Sequence, residues 1–345
     1  MRTLRKHIRL ILALLIIVPL CLGSIFAYQW IPDSSPNANE MQLSLSNLSP
    51  NSSQKFLFLQ RENGQDKKSD FWLGTESNLR KIAIDSVELV NNQVNYWEKG
   101  VPEKQTLAAD KLAFANELSE SVEELKYSLG SDKYGRDFLS RLVLGARVSL
   151  MAGFFAVALS LLVGLVLGLI SGFFGSWIDK TIMWFINVLW SVPTLLLAIA
   201  ITLSLGKGLW QVFLAIGLSM WVEIARLVRG RVMQERELEY VRALKSLGFS
   251  DLRILFKHIL PNIFQPVIVL CAANFATAIL LESGLSFLGI GATAPMPTWG
   301  NMIRDHYAYI VLDKAYLAIY PGLGIMSLVM AFMLLGNYLK DRWAN

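Results

Sequence analysis

The sequence predicts an all-α membrane protein with six transmembrane helices and a small α+β domain inserted outside the membrane between helices 1 and 2. The 345 residues are 54% hydrophobic and only 17% charged, and the mean hydropathy is positive. Soluble domains carry about 25% charged residues, so the composition favours an integral membrane protein. Long apolar runs alternate with short polar connections, and the polar residues 30–129 interrupt them.

Charge and cysteine content exclude several function classes. The net charge of +5 does not indicate nucleic-acid binding, because the basic residues cluster at the ends of apolar runs. Cys21 and Cys271 lie inside apolar runs and indicate neither a disulfide nor a metal site. The sequence contains no Gly-x4-Gly-Lys-Ser/Thr phosphate loop. We therefore expect a protein that is not an enzyme, with no catalytic residues, no cofactor and no metal.

The first apolar run predicts an N-terminal membrane anchor. Residues 10–28 follow a basic cluster and provide the ~20 residues that a spanning helix needs. A cleaved signal peptide would show a small-x-small cleavage site after this run, which is missing. A lipoprotein would need a small residue before Cys21, where the bulkier Leu20 stands. We expect residues 1–29 to be an uncleaved anchor.

Residues 30–129 are predicted to form an extracytoplasmic domain that begins with a flexible tether. The short apolar runs 56–59 and 82–84 are typical of strands, and Asn91-Asn92 between alternating segments predicts a hairpin turn. The pattern of residues 106–127 predicts an amphipathic acidic helix. The segment contains neither His nor Cys, and no catalytic constellation is visible in it.

Five further spans are predicted, and basic residues indicate their orientation. Gly164, Gly168 and Gly172 recur every four residues, a pattern that lets membrane helices approach closely. Pro193 lies where it can break a helix if neighbours satisfy the freed carbonyl. With six spans, the basic residues of both termini and of the loop 229–262 fall on the cytoplasmic side. The expected spans are residues 148–173, 179–204, 209–228, 262–288 and 315–338.

The most informative polar stretch is residues 239–262. Gly248 offers the left-handed conformation that ends a helix, and Ser250 can cap the next one. Pro261 cannot continue a helix interior. We expect two short helices joined at a glycine, the second with an apolar face exposed for docking. The residues of this apolar face, spaced i, i+3, i+4 and i+7, are Leu252, Leu255, Phe256 and Ile259.

This stretch resembles the cytoplasmic coupling loop, or EAA motif, of ABC-importer permeases in its peptide/nickel form. The family pattern is Glu-Ala-Ala, three residues, Gly, nine residues, Ile, any residue, Leu-Pro. Here Arg242 replaces the glutamate, Leu244 the second alanine and His258 the isoleucine. The resemblance and the helix pattern together imply a set of ATPase-coupling residues. These are Glu239, Tyr240, Ala243, Leu247, Gly248, Leu252, Leu255, Phe256, His258, Leu260 and Pro261.

Other motifs extend the resemblance over residues 129–342. Residues 129–137 are similar to the family signature Leu-Gly-Thr-Asp-x-x-Gly-Arg-Asp, in which Asp137 can pair with a nearby arginine. Residues 284–291 and 297–302 also resemble the peptide/nickel permeases. The chain then divides into the anchor 1–29, the tether and insert 30–129, and a permease domain 130–345 that contains the coupling loop 229–262.

Polar residues within the predicted spans are candidates for the translocation pathway. They are Asn187, Asn274 and Glu282. Glu282 could equally be a structural carboxylate that is paired at the outer interface. Glu223 lies one turn from Arg226 and is expected to pair with it.

The resemblance implies a multi-pass permease of the bacterial inner membrane with both termini in the cytoplasm. Its implied partners are a second permease, two cytoplasmic ATPases, an extracytoplasmic solute-binding protein and membrane lipid, without nucleic acid. The implied substrates are dipeptides or oligopeptides. Two alternatives stay open: an importer of nickel or another small solute, and a membrane sensor or scaffold that uses the insert.

Overall fold

A computed structural model describes residues 2–60, 70–75, 77–113 and 118–343 of this protein. It shows a mostly helical fold of membrane-protein type with a strand-containing insert, as predicted. The helices are α1 (Arg2–Ile25), α2 (Ala27–Trp30), α3 (Phe138–Phe174), α4 (Ser176–Trp190), α5 (Thr194–Leu205), α6 (Leu209–Arg236), α7 (Glu239–Ser246), α8 (Asp251–Ile254), α9 (Leu260–Phe287), α10 (Trp299–His306) and α11 (Tyr316–Trp343).

The described helices provide five or six membrane spans. Five helical segments are long and apolar enough to cross a membrane. The predicted span 179–204 is not one straight helix, because α4 and α5 meet at an angle of 92°. Pro193 precedes α5 and has no N–H to continue the ladder of α4. The bent pair is therefore either a broken sixth span or a re-entrant loop.

Three glycines of α3 allow it to lie directly against the backbone of α6. A Cβ added to Gly164, Gly168 or Gly172 would lie only 2.7 or 2.8 Å from a carbonyl oxygen of α6. The opposing carbonyls belong to Trp221, Ala225 and Arg229, one turn apart. The predicted close helix contact is confirmed, since nothing larger than hydrogen fits between the two backbones.

Both described ends of the chain lie at the same end of the helix bundle as the loop that contains α7 and α8. Arg9 of α1 forms a 2.6 Å ion pair with Asp341 of α11. Lys340 of α11 lines one cavity together with Glu235 of α6 and Asn262 of α9. The insert packs at the opposite end.

The insert contains one antiparallel sheet in the described residues, with the strands β1 (Ser52–Gln60), β2 (Leu79–Val90), β3 (Gln93–Glu98), β4 (Lys104–Ala108) and β5 (Val122–Tyr127). Their order across the sheet is β4-β3-β2-β1-β5. Asn91 and Asn92 form the two-residue turn between β2 and β3 and have φ of 50° and 61°. A type I′ hairpin turn requires positive φ at both of its central residues. The predicted strands at 56–59 and 82–84 lie in β1 and β2.

The predicted helix 106–127 is wrong for the residues that the structure describes. Its start belongs to β4 and its end to β5, and residues 114–117 lie outside the described residues. β5 pairs with β1 from Tyr127 opposite Ser52 to Val122 opposite Leu57. β1 offers a free edge with which residues 122–127 can pair. The free energy of this pairing outweighs the helix propensity of the Glu- and Leu-rich sequence.

The segment 129–137 fixes the connection between the insert and α3. Asp132 accepts hydrogen bonds from Arg136, whose guanidinium lies 2.7 Å away, and from two backbone N–H groups. Contrary to expectation, Asp137 forms no ion pair with any arginine in the described part of the chain. Its carboxylate accepts from the backbone N–H of Ser140 at 2.7 Å and so caps the start of α3.

The connection expected to be a flexible tether runs along this segment. Arg136 donates to the side chain of Asn39, and a Cβ on Gly135 would lie 1.8 Å from the carbonyl oxygen of Gln42. Lys314, before α11, donates to the carbonyl of Asn47. The insert is therefore fastened to the permease domain through its first residues as well as its last.

The α3–α6 contact predicts that two glycine-to-alanine substitutions change the stability of the protein differently. Gly168→Ala should lower stability by about 1–3 kcal/mol, because its methyl group overpacks against α6. Gly230 of α6 has nothing within 4 Å of its Cβ position, so Gly230→Ala should be neutral or stabilise by about 0.5–1 kcal/mol. Thermal unfolding of both variants in detergent measures this difference. Equal melting temperatures would contradict the close contact.

Candidate coupling surface and membrane cavity

The loop between α6 and α9 has the predicted glycine elbow. The N–H of Phe249 donates to the carbonyl of Leu244, and the N–H of Gly248 donates to that of Lys245. This pair of bonds is a Schellman motif, which requires the left-handed φ of 80° seen at Gly248. The short first helix, α7, and the positive φ at Gly248 are confirmed.

The helix after the elbow does not end at Pro261. One π-helical turn, Leu255–Ile259, joins α8 to α9, and the N–H of Leu260 donates to the carbonyl of Leu255. Pro261 is the second residue of α9 and follows this π turn directly. Residues 251–287 form one continuous helical segment from the loop into the membrane. The expectation that Pro261 stops the helix is wrong.

The apolar residues around this π turn face two different ways. Leu255 and Ile259 are only 2% and 0% exposed. Leu252 and Phe256 are 61% and 57% exposed. A π turn rotates the chain less per residue than an α turn does, so Ile259 falls on the side of Leu255 rather than below Phe256. The prediction that all four residues form one exposed stripe is wrong.

The buried residues of the loop belong to a cluster that we call the loop cluster. It holds Leu255 against α3, α6 and α9, so these elements share one core at this end of the bundle. The loop cluster consists of Leu169, Phe173, Ile224, Val228, Val232, Val241, Ile254, Leu255, Ile259, Ile263 and Val267.

The exposed residues of the loop form the candidate docking surface. Leu247, Leu252 and Phe256, which we call the exposed patch, present large apolar side chains beyond the membrane helices. Three exposed large apolar residues within ten positions of one loop make it a candidate interaction site. Among the other predicted coupling residues, Glu239, Ala243 and Pro261 are exposed, and Tyr240, His258 and Leu260 are half-buried.

A polar link that sequence reasoning missed ties the loop to both neighbouring spans. The hydroxyl of Tyr240 donates to Glu235 of α6 at 2.7 Å, and the amide of Asn262 in α9 donates to both groups. Burial and the bond to Glu235 raise the pKa of Tyr240 to about 12. The hydroxyl therefore stays protonated and remains a donor. In the sequence, the only indication of this link is that Tyr240 and Asn262 both match the peptide-permease form of the loop motif.

Arg242, which stands at the family's glutamate position, is exposed. It lies 3.7 Å from Glu237, and both side chains are largely open to solvent. Such an ion pair contributes only about 0–1 kcal/mol. The departure from the family pattern therefore leaves the loop cluster and the elbow unchanged.

A cavity of about 910 Å³ opens between α4, α6, α9 and α11 at the same end as the loop. Its charged lining includes Glu223, Arg226 and Arg231. Arg226 donates to Asn187 at 2.9 Å and stacks 3.5 Å above the ring of Trp190. The expected ion pair between Glu223 and Arg226 is not among the ion pairs of the described residues.

Asn274 and Glu282 lie away from this cavity. Glu282 is fully buried and accepts from the hydroxyls of Ser286 at 2.8 Å and Ser149 at 3.3 Å. The amide nitrogen of Asn274 is buried without a hydrogen-bond partner. Of the three pathway candidates, only Asn187 forms a side-chain hydrogen bond with a cavity-lining residue within the part of the chain that the structure describes.

Comparison with known proteins identifies the family. A family model described as "Binding-protein-dependent transport system inner membrane component" matches residues 164–345, more than half of the chain. This chain belongs to that family of ABC-importer permeases. It is a multi-pass membrane permease, and the insert lies outside the matched residues.

Similar curated proteins are peptide permeases. The dipeptide transport system permease protein DppC of Alkalihalophilus pseudofirmus is 43% identical over 61% of this chain and 69% of its own length. The glutathione permease GsiD of Pectobacterium atrosepticum is 39% identical over 62% of this chain and 70% of its own length. The oligopeptide permease OppC of Bacillus subtilis is 38% identical over 61% of this chain and 69% of its own length.

One solved structure, of a methionine ABC transporter described as inward facing, is 17% identical to this chain with a TM-score of 0.49. The likeness covers 59% of this chain and 96% of that one.

The division of the loop into buried and exposed residues predicts a contrast between two leucines. Leu255→Ala should lower the stability of the permease by about 2–5 kcal/mol, as for a fully buried leucine. Leu252→Ala should change stability by less than about 0.5 kcal/mol, because the side chain is exposed. Thermal unfolding of the isolated chain in detergent separates the two. A neutral Leu255→Ala would mean that Leu255 is not in the core.

Proposed function

We propose that this permease is the translocation subunit of a bacterial importer for dipeptides or oligopeptides. It pairs with a second permease and receives substrate from an extracytoplasmic binding protein. Two cytoplasmic ATPases bind its coupling loop and supply the energy. Both termini and the loop lie in the cytoplasm, as the basic residues at this end of the bundle favour.

The observation that carries this proposal is the two-sided loop. The exposed patch offers an apolar surface in the helix-in-groove mode, in which a short helix lays its apolar residues into a partner's groove. A few residues away, Leu255 and Ile259 are packed into the loop cluster. A force applied to the exposed patch therefore reaches α3, α6 and α9 through closely packed side chains rather than through a flexible linker.

Motion of the loop would change the membrane cavity. The cavity lies between α6 and α9, the two spans that the loop joins, and Glu235 and Asn262 of the Tyr240 link line it. Rocking these spans as the ATPases close would open or occlude the cavity and give alternating access.

The cavity suits a zwitterionic substrate. The cavity is lined by both acidic and basic side chains beside apolar ones. The acidic residues are Glu223 and Glu235, and the basic residues are Arg226, Arg231 and Lys340. Charged groups in such a setting mark substrate pathways. A short peptide carries an ammonium and a carboxylate that could pair with these groups, in accord with the peptide permeases among the relatives.

The elbow provides the functional test. Gly248→Val should force the second helix to rotate, since a β-branched residue in this conformation costs about 1–2 kcal/mol. Gly248→Asn is the matched control, because asparagine tolerates positive φ, and the site has free space around it. We expect Gly248→Val to insert normally but to lose peptide uptake per ATP hydrolysed, while Gly248→Asn retains it.

The measurement is peptide uptake and peptide-stimulated ATPase activity in proteoliposomes that contain both permeases. Wild-type coupling in Gly248→Val would show that the elbow does not transmit the motion. Coupling to a solute other than peptide, with the same response of the two variants, would overturn the substrate assignment alone.

A further inference from the structure

The insert carries an apolar loop that its own sheet does not use. Residues 70–74, which we call the aromatic loop, present Phe71, Trp72 and Leu73 in succession. Trp72 and Leu73 are 56% and 68% exposed, and Phe71 is also exposed. Three consecutive exposed large apolar residues are costly in water, and on a soluble surface they mark a site of interaction.

The aromatic loop is built to hold this shape. Asp70 accepts hydrogen bonds from the N–H groups of Trp72 at 2.7 Å and Leu73 at 3.0 Å. Asp70 and Gly74 exchange two backbone hydrogen bonds. Gly74 has a φ of 87°, and a Cβ there would collide with the ring of Tyr28. The apolar side chains are therefore displayed by a closed turn that rests on the chain just beyond α1.

Arg147 of α3 fastens the aromatic loop to the end of α1. Its guanidinium donates to the carbonyl of Trp72 at 2.8 Å and to that of Ser24 at 2.7 Å. It also lies between the rings of Tyr28 and Trp72, 5.1 and 5.2 Å from their centres. One side chain thus satisfies a terminal carbonyl of α1 and fixes the height of the loop relative to two membrane helices.

The exposed surface of the loop continues that of a membrane-spanning helix. The ring of Phe71 meets that of Phe26 edge-on at 5.9 Å, and Phe26 stacks on Trp30 at 6.4 Å. Only 11% of the most apolar stretch of α1 is buried. Its exposed residues include Ile11, Leu15, Val18 and Leu22.

We propose that the aromatic loop is a membrane anchor of the insert. It dips into the leaflet at the end of α1 farther from Arg9, with Phe71 and Leu73 among the acyl chains and Trp72 at the headgroup level. Tryptophan favours this interface because its ring is amphipathic. The anchor holds the sheet of the insert at a fixed height on the membrane surface, independently of which solute the permease carries.

Site-specific fluorescence on the full-length chain tests this anchor. Cys21 and Cys271 are replaced by alanine, and a single cysteine at Leu73→Cys is labelled with nitrobenzoxadiazole. Val90→Cys is the matched control, since Val90 is also an exposed apolar residue of the insert but lies at the β2–β3 turn. The protein is placed in nanodiscs of phosphatidylethanolamine and phosphatidylglycerol that contain a nitroxide-labelled lipid.

We expect the label at position 73 to emit at shorter wavelength and to be quenched several-fold more strongly by the lipid nitroxide than the label at position 90. Aqueous iodide should quench position 90 several-fold more strongly than position 73. Phe71→Cys, labelled in the same way, should behave like Leu73→Cys. Agreement between the two variants would show that the result does not come from a change in the loop caused by the label at position 73.

Two results would overturn the proposal. If iodide quenches position 73 as strongly as position 90 and the lipid nitroxide quenches neither, the loop lies in water. If neither quencher reaches position 73, another protein surface covers the loop. Neither result depends on whether peptides are the transported solute, so this test stands apart from that of the coupling loop.

Discussion

The arrangement of this permease depends on three glycines of α3 that have no side chain where this helix meets α6. At Gly164, Gly168 and Gly172 the backbone of α3 lies against the carbonyls of α6. This contact brings residues such as Leu169 and Val228 together in the loop cluster. The same cluster receives Leu255 from the coupling loop. Larger residues at the glycines would separate the spans and remove the surface on which the loop is packed.

The π turn divides the apolar residues of one short segment between the core and the surface. In a regular α-helix, Leu252, Leu255, Phe256 and Ile259 would share one face, and docking a partner would compete with packing onto the spans. The wider turn places Leu255 and Ile259 toward the core and leaves Leu252 and Phe256 exposed. π turns are uncommon and often lie at functional sites, which agrees with a role for this one in transmitting force.

The sequence predicted those features that short patterns encode. Hydropathy predicted the five straight spans, Gly248 predicted the elbow, and Asn91-Asn92 predicted the hairpin turn. These signals are local, because they depend on composition over one helix or on the backbone freedom of single residues.

Features that depend on distant partners were not predictable in this way. Residues 122–127 have a helical pattern, but they form a strand because β1 offers an edge to pair with. The Tyr240 link requires Glu235 and Asn262 to meet across two spans. The π turn has no marker in the spacing of apolar residues, which is why Leu255 was expected at the surface. Pro193 likewise predicted a break in the helix, but it did not predict the 92° angle between α4 and α5.

The most direct measurement of the central claim is a structure of the assembled transporter in a lipid nanodisc. We predict that Leu247, Leu252 and Phe256 lose their exposed surface against an ATPase subunit, while Leu255 keeps its contacts with α3 and α6. This places the ATPase at the end of the bundle that holds the Arg9–Asp341 ion pair. An ATPase bound elsewhere on the permease, with the exposed patch still in water, would contradict this account of coupling.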